Sequence, residues 1–96
     1  MAGYVISPRA RSDIAEIWDY SVAQWNVEQA DRDLRDLQRG FETIAAQPRI
    51  GRACDEIRPG YFKLPVASHV IFYRMVKQKV DIVRVLHRRM DYARRL

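Results

Sequence analysis

Cysteine is almost missing from this chain: Cys54 stands alone among 96 residues. One thiol cannot close an intramolecular disulfide or build a Cys-based zinc site, and Cys54 reads as an ordinary loop or semi-buried residue. Glycine is scarce and scattered, at positions 3, 40, 51 and 60, so no glycine-rich loop is present to cradle phosphates. The two histidines, His69 and His87, have no Cys or carboxylate at metal-ligand intervals, so no metal and no other cofactor is expected. Ser68 and His69 adjoin in a strand-like run, where neighbouring side chains point to opposite faces, which disfavours a Ser–His nucleophilic pair. No apolar stretch approaches the ~20 residues of a membrane span, and Met1-Ala2-Gly3-Tyr4 lacks the basic start and apolar run of a secretory signal. With 48% hydrophobic and 30% charged residues, the balance is that of a soluble globular protein. These exclusions point to one small cytoplasmic domain spanning residues 1–96, with no membrane partner.

Charge is plentiful and unevenly placed. The net charge is +5, but residues 1–48 carry five Arg against eight acids (−3) and residues 49–96 carry twelve Lys and Arg against four acids (+8). A basic C-terminal half attracts nucleic acid or an acidic protein segment. Charge by itself does not choose between them.

Tyr4-Val5-Ile6 is a short strand-like run closed by Ser7-Pro8, a favourable helix start in which the hydroxyl accepts from a free amide and Pro forfeits no needed donor. Ala10, Ile14, Ile17, Trp18, Ser21, Val22 and Trp25 then fall on one helical face, with Arg11, Asp13, Glu16 and Asp19 opposite. Asn26 reads as the cap of a second helix, with Gln29 as its capping-box partner. That helix has the cleanest period in the chain: Val27, Ala30, Leu34, Leu37, Phe41, Ile44 and Ala45, with Glu28–Arg32 and Asp31–Arg35 pairs outside. Gly40 marks a close-packing point and Pro48 ends the helix. The one-residue junction folds the two helices into an antiparallel hairpin.

Arg49–Pro59 reads as a loop, and three strands follow at Tyr61–Val66, His69–Val76 and Val80–Leu86. Pro65 confines the first of them to an edge or bulge, and the turn Lys77-Gln78-Lys79 joins the other two. The order β-α-α-β-β-β predicts a two-layer α+β domain, a helix hairpin on one face of a small four-stranded antiparallel sheet. A basic tail, His87 to Leu96, follows.

The segment Arg84-Val85-Leu86-His87-Arg88-Arg89-Met90-Asp91 gathers a histidine and three arginines at the end of the last strand. Metal-free RNA cleavage needs a base for the 2′-hydroxyl and cations for the phosphorane charge; His87, Arg84 and Arg88 are the residues that would serve. A strand-capping histidine beside a protein-docking arginine patch explains the same residues without chemistry.

Trp25 with Val27-Glu28-Gln29-Ala30, Pro48 with Gly51-Arg52, Arg58 and Gly60, the run Ser68-His69-Val70-Ile71-Phe72-Tyr73-Arg74, and Ile82-Val83-Arg84-Val85-Leu86-His87 with Met90-Asp91 together resemble the ParE-type toxins. These are a branch of the RelE/ParE superfamily of type II toxin–antitoxin systems. The resemblance covers nearly the whole chain and implies a helix hairpin on a small antiparallel sheet. RelE-like members cleave mRNA on the ribosome, whereas ParE-like members poison DNA gyrase and block replication. Val70 follows His69 where ribonuclease members carry an arginine, and Arg88 follows His87 where they often carry a tyrosine. The resemblance is therefore to the gyrase-directed, non-enzymatic branch. It further implies a ParD-like antitoxin whose acidic C-terminal segment wraps the toxin and whose N-terminal part binds operator DNA, so that DNA is reached only indirectly. On this basis Arg58, Arg74 and Arg84 are expected to meet antitoxin carboxylates, with Trp18 and Trp25 anchoring apolar side chains. The basic, least constrained tail (Arg88, Arg89, Met90, Tyr92, Arg94 and Arg95) is expected to contact the target.

Overall fold

The computed structural model describes residues 3–90 and 92–96, without the side chains of Tyr92 and Ala93. In chain order the elements are β1 (Tyr4–Ile6), α1 (Pro8–Gln24), α2 (Val27–Ala46), β2 (Arg52–Ala53), β3 (Tyr61–Val66), β4 (His69–Val76), β5 (Lys79–His87) and α3 (Tyr92–Arg95). The α+β class and the element order match the sequence reading.

The sheet differs from that reading in two ways. It has five strands, in the order β1-β5-β4-β3-β2, and it is mixed: β1 pairs parallel to β5, while the other pairings are antiparallel. The crossover that a parallel pair requires is made by the helix hairpin together with β2, β3 and β4, whose antiparallel β3-β4-β5 meander brings β5 back beside β1 in the same sense. The fifth strand, β2, lies within the stretch read as loop; two residues, paired to Lys63 and Phe62, are too few to leave a periodic signal. Pro65 lies opposite Val70, beyond the reach of β2, on an open edge.

Local signals account for the helix ends. Ser7 Oγ accepts from the Ala10 amide at 3.1 Å and donates to the Val83 carbonyl at 2.9 Å, tying the start of α1 to β5. Asn26 Oδ1 accepts from the Gln29 amide at 2.8 Å. The reciprocal half of the expected capping box is replaced, because the Gln29 side chain donates to Asp33 and accepts from Arg32. Leu37, Phe41 and Ile44 of α2 pack with Ala10 of α1 on Ile71, Tyr73, Val80, Ile82 and Val85 of the sheet, each large side chain contributing roughly 1.5–3 kcal/mol. Gly40 lets α2 lie close on the sheet: a Cβ there would lie 2.8 Å from Ile71 Cδ1 and 3.0 Å from Val66 Cγ2.

Two irregularities position the rest. Lys77 and Gln78 have φ of 51° and 66°, the positive pair of a type I′ hairpin formed without the usual Asn-Gly. Farther along, Tyr73 pairs with Ile82 but Phe72 with Arg84, so Val83 is an extra residue, a bulge that resets which side chains of β5 face the helices. Among the described residues, no helix is long and apolar enough to cross a membrane.

Candidate functional site

Beyond the bulge, β5 outlasts its neighbour β1, whose pairing stops at Ile82. The freed edge is satisfied by α1. Asp13 Oδ2 accepts from the Val85 amide at 2.9 Å and from Arg84 Nε at 2.8 Å, while Asp13 Oδ1 accepts from the other side of the guanidinium at 2.9 Å. The third arm of Arg84 donates to the Arg95 carbonyl at 2.7 Å. Both partners are buried, with residue exposures of 8% each. The hydrogen bond to Asp13 is the main cause holding the Arg84 guanidinium above its ordinary pKa, against the opposing pull of burial. This corrects two expectations. Asp13 lies inside rather than on the polar face of α1, and Arg84 is an internal strut rather than a surface arginine.

The tail is likewise tied. Arg58 donates to the Leu96 main-chain oxygen at 2.7 Å, and Leu96 packs with Cys54, Val70, Phe72 and Leu86 on the sheet face away from the hairpin. Cys54 is fully buried there, more deeply than a loop residue suggested, and burial pushes its thiol up. The expectation of a least constrained tail is thus replaced by a docked one. Its Arg95 and Leu96 main-chain oxygens accept from Arg84 and Arg58, while Arg88, Arg89, Met90, Arg94 and Arg95 are exposed. The Tyr92 side chain lies outside the described residues.

Arg74 pairs with its cross-strand neighbour Asp81 at 3.1 Å and sits 5.9 Å from the Tyr61 ring centroid, leaving about half of its side chain in water. Trp25 caps α1 and is 70% exposed, whereas Trp18 is half-buried. Trp25 precedes the start of α2, whose 20 residues run about 30 Å. The structure therefore does not gather the five expected partner residues into one patch: Trp25 marks the hairpin tip, Arg84 is internal, and Arg58 holds the tail.

At the far end of β4 and β5 the register places His69 opposite His87, with ring centroids 5.6 Å apart and planes at 80°. Burial is the main cause holding His69 below its ordinary pKa, reinforced by His87 and opposed by Asp33. His87 Nδ1 accepts from the Arg89 amide at 3.1 Å, so the acceptor nitrogen of the neutral ring is occupied. Of the three residues a ribonuclease would use, Arg84 has its donors committed to Asp13 and Arg95. Among the described residues, no group of three or more His, Cys, Asp or Glu is placed to hold a metal.

Sequence reasoning missed the Asp13–Arg84 strut and the histidine pair. The first left a trace: Asp13 falls three residues after Ala10 and four before Ile17, inside the apolar stripe, where an acid signals a buried partner. The second depends on the bulge at Val83, which nothing in the local pattern announces.

The family model described as the ParE toxin of type II toxin-antitoxin system, parDE, matches residues 4–92. The chain belongs to this ParE toxin family. Toxin ParE1 of Mycobacterium tuberculosis is 53% identical over 94 residues, covering 97% of this chain and 96% of the relative. Toxin ParE1 of Caulobacter vibrioides is 44% identical over 91 residues, covering 95% and 94%. A solved chain from the chromosomal ParDE TA system of P. aeruginosa superimposes with a TM-score of 0.79 at 18% identity, covering 91% of this chain and 96% of that one. That likeness shows a shared fold. Family membership makes this chain a ParE-type toxin of a type II toxin–antitoxin system.

Proposed function

We propose that this toxin acts in the cytoplasm, as a single domain, by binding and trapping DNA gyrase and so blocking replication, without bond-breaking chemistry of its own. A ParD-like antitoxin silences it, and operator DNA is reached only through that antitoxin. The observation that carries this reading is the commitment of Arg84 to Asp13 and Arg95, which removes a phosphate-neutralising cation from the His87 end of the strand. The exposed arginines of the docked tail, Arg88, Arg89, Arg94 and Arg95, form the basic surface offered to the target, with Met90 as its apolar member. Arg58 and Arg74 remain the proposed contacts for antitoxin carboxylates, and Trp18 and Trp25 for its apolar side chains.

Two assays on the purified chain separate this from an mRNA interferase. Supercoiling by gyrase is inhibited while mRNA on programmed ribosomes stays intact. Cleavage of that mRNA, abolished by His87→Ala, would overturn the reading.

A further inference from the structure

The exposed arginines of the tail sit on two short segments, each held by its main chain. The first follows β5: the Arg88 amide donates to the Ser68 carbonyl at 3.0 Å, the Met90 amide to the His87 carbonyl at 2.9 Å, and the Arg89 amide to His87 Nδ1 at 3.1 Å. The second is α3, whose four residues are too few to persist as a helix without outside support. Two guanidinium groups supply that support. Arg84 on β5 donates through Nη1 to the Arg95 carbonyl, and Arg58 in the β2–β3 connection donates through Nη2 to the Leu96 main-chain oxygen, each at 2.7 Å. Both arginines are themselves set. Asp13 takes Nε and Nη2 of Arg84, which fixes the plane of the fork and aims its remaining nitrogen. The Arg58 amide donates to the carbonyl of the fully buried Cys54 at 3.0 Å. The grip is on main-chain oxygens, and the Arg94 and Arg95 residues it holds stay exposed.

We propose that Arg58, Arg84 and Asp13 are positioning residues for target binding: they form a two-point clasp that presents Arg94 and Arg95 in one arrangement, and they act through the tail. The inference rests on the reading that the exposed tail arginines contact the target. Its physical basis is preorganisation. A free segment would have to be ordered on binding, at a cost in backbone entropy for every residue fixed. Apparent affinity falls in proportion to the fraction of molecules that already hold the competent form, and the clasp keeps that fraction high. Asp13 therefore matters to the target although it lies on α1, 82 residues before Arg95 in sequence.

The test measures the concentration of full-length protein that halves gyrase supercoiling. It compares the unaltered chain with Arg58→Ala, Arg84→Lys, the Arg94→Ala/Arg95→Ala double variant, and that double variant combined with Arg58→Ala. Arg84→Lys keeps the charge that Asp13 requires, but one ammonium does not span the fork from Asp13 to the Arg95 carbonyl. Each clasp variant is expected to need about 10-fold more protein, with faster amide exchange over residues 94–96. Thermal melts above the assay temperature identify folded variants, and Arg58→Ala carries the test if Arg84→Lys does not fold. Once Arg94 and Arg95 are replaced the clasp has nothing to present, so adding Arg58→Ala weakens inhibition by less than about 2-fold. Losses that multiply instead show Arg58 acting independently of the tail, and overturn the proposal. Full inhibition by both clasp variants, beside weak inhibition by Arg94→Ala/Arg95→Ala, overturns the clasp alone. Full inhibition by Arg94→Ala/Arg95→Ala removes the tail reading, no inhibition by the unaltered chain removes the gyrase reading, and the clasp falls with either.

Discussion

On one face of the sheet the α1–α2 hairpin buries Leu37, Phe41 and Ile44 against Ile71, Tyr73, Val80, Ile82 and Val85. On the other, Cys54, Val70, Phe72 and Leu86 are covered by Ile57, Tyr61 and Leu96, and two arginines hold the tail over them by main-chain oxygens. The first face is closed by apolar area contributed by long, periodic elements. The second is closed by a short cover fastened through directional hydrogen bonds. A hydrophobic face tolerates the loss of any one contact in proportion to its area. A fastened cover depends on a few groups, each of which fails as a unit. The two faces are joined at Asp13, which lies on the hairpin side of the molecule yet orients the arginine that holds the tail.

That shared strut is the point where the contrast breaks most completely. Asp13→Ala leaves Arg84 buried without its counter-charge and the Val85 amide without its acceptor, and is expected to cost about 3–5 kcal/mol. Urea unfolding followed by circular dichroism measures it, and a loss below about 1 kcal/mol would mean that water substitutes freely for the carboxylate. Gly40→Ala probes the hairpin face alone. A new methyl group crowding Ile71 and Val66 is expected to cost about 1–3 kcal/mol, visible as a lower urea midpoint with the tail still protected. Arg58→Ala probes the other face, with an expected loss of about 0.5–1.5 kcal/mol. Amide exchange should accelerate over residues 92–96 while the amides of α2 keep their protection; equal acceleration in both would show one cooperative unit.

The smallest effect is set by pH. His69 has a folded pKa below its ordinary value of 6.5, chiefly from burial, so the unfolded chain takes up its proton first as pH falls. Its contribution to stability is therefore complete above about pH 6.5, declines as pH drops through that value, and is fully lost below the folded pKa. Urea midpoints measured between about pH 7.5 and pH 5.5 should fall less steeply in His69→Gln than in the unaltered chain. An identical slope would place the titration elsewhere.

Most of the secondary structure was legible because each element carries its own local signal. Ser7-Pro8 starts one helix, Asn26 the next, and the apolar period of α2 identifies the face it buries. The strand spans Tyr61–Val66 and His69–Val76 coincide with the observed ones, and the last, read as Val80–Leu86, gains one residue at each end. The candidate site was less legible. Arg84 and Arg58 look like surface cations in a basic segment, and their acceptors lie 71 and 38 residues away, respectively, in sequence. No windowed pattern carries a pairing of that range. The tail misled for the same reason: its composition is that of a solvated arm, but its main-chain oxygens are what the arginines hold.

By itself the sequence determined the helices and the three long strands, the two-layer class, the division into an acidic and a basic half, and family membership, because caps, periods and charges are properties of neighbouring residues. Only the tertiary structure decided the parallel pairing of β1, the bulge at Val83, the inward turn of Asp13 and Arg84, and the docking of the tail. Each of these depends on where distant backbone groups are left without partners, and that is known only once the chain has closed on itself.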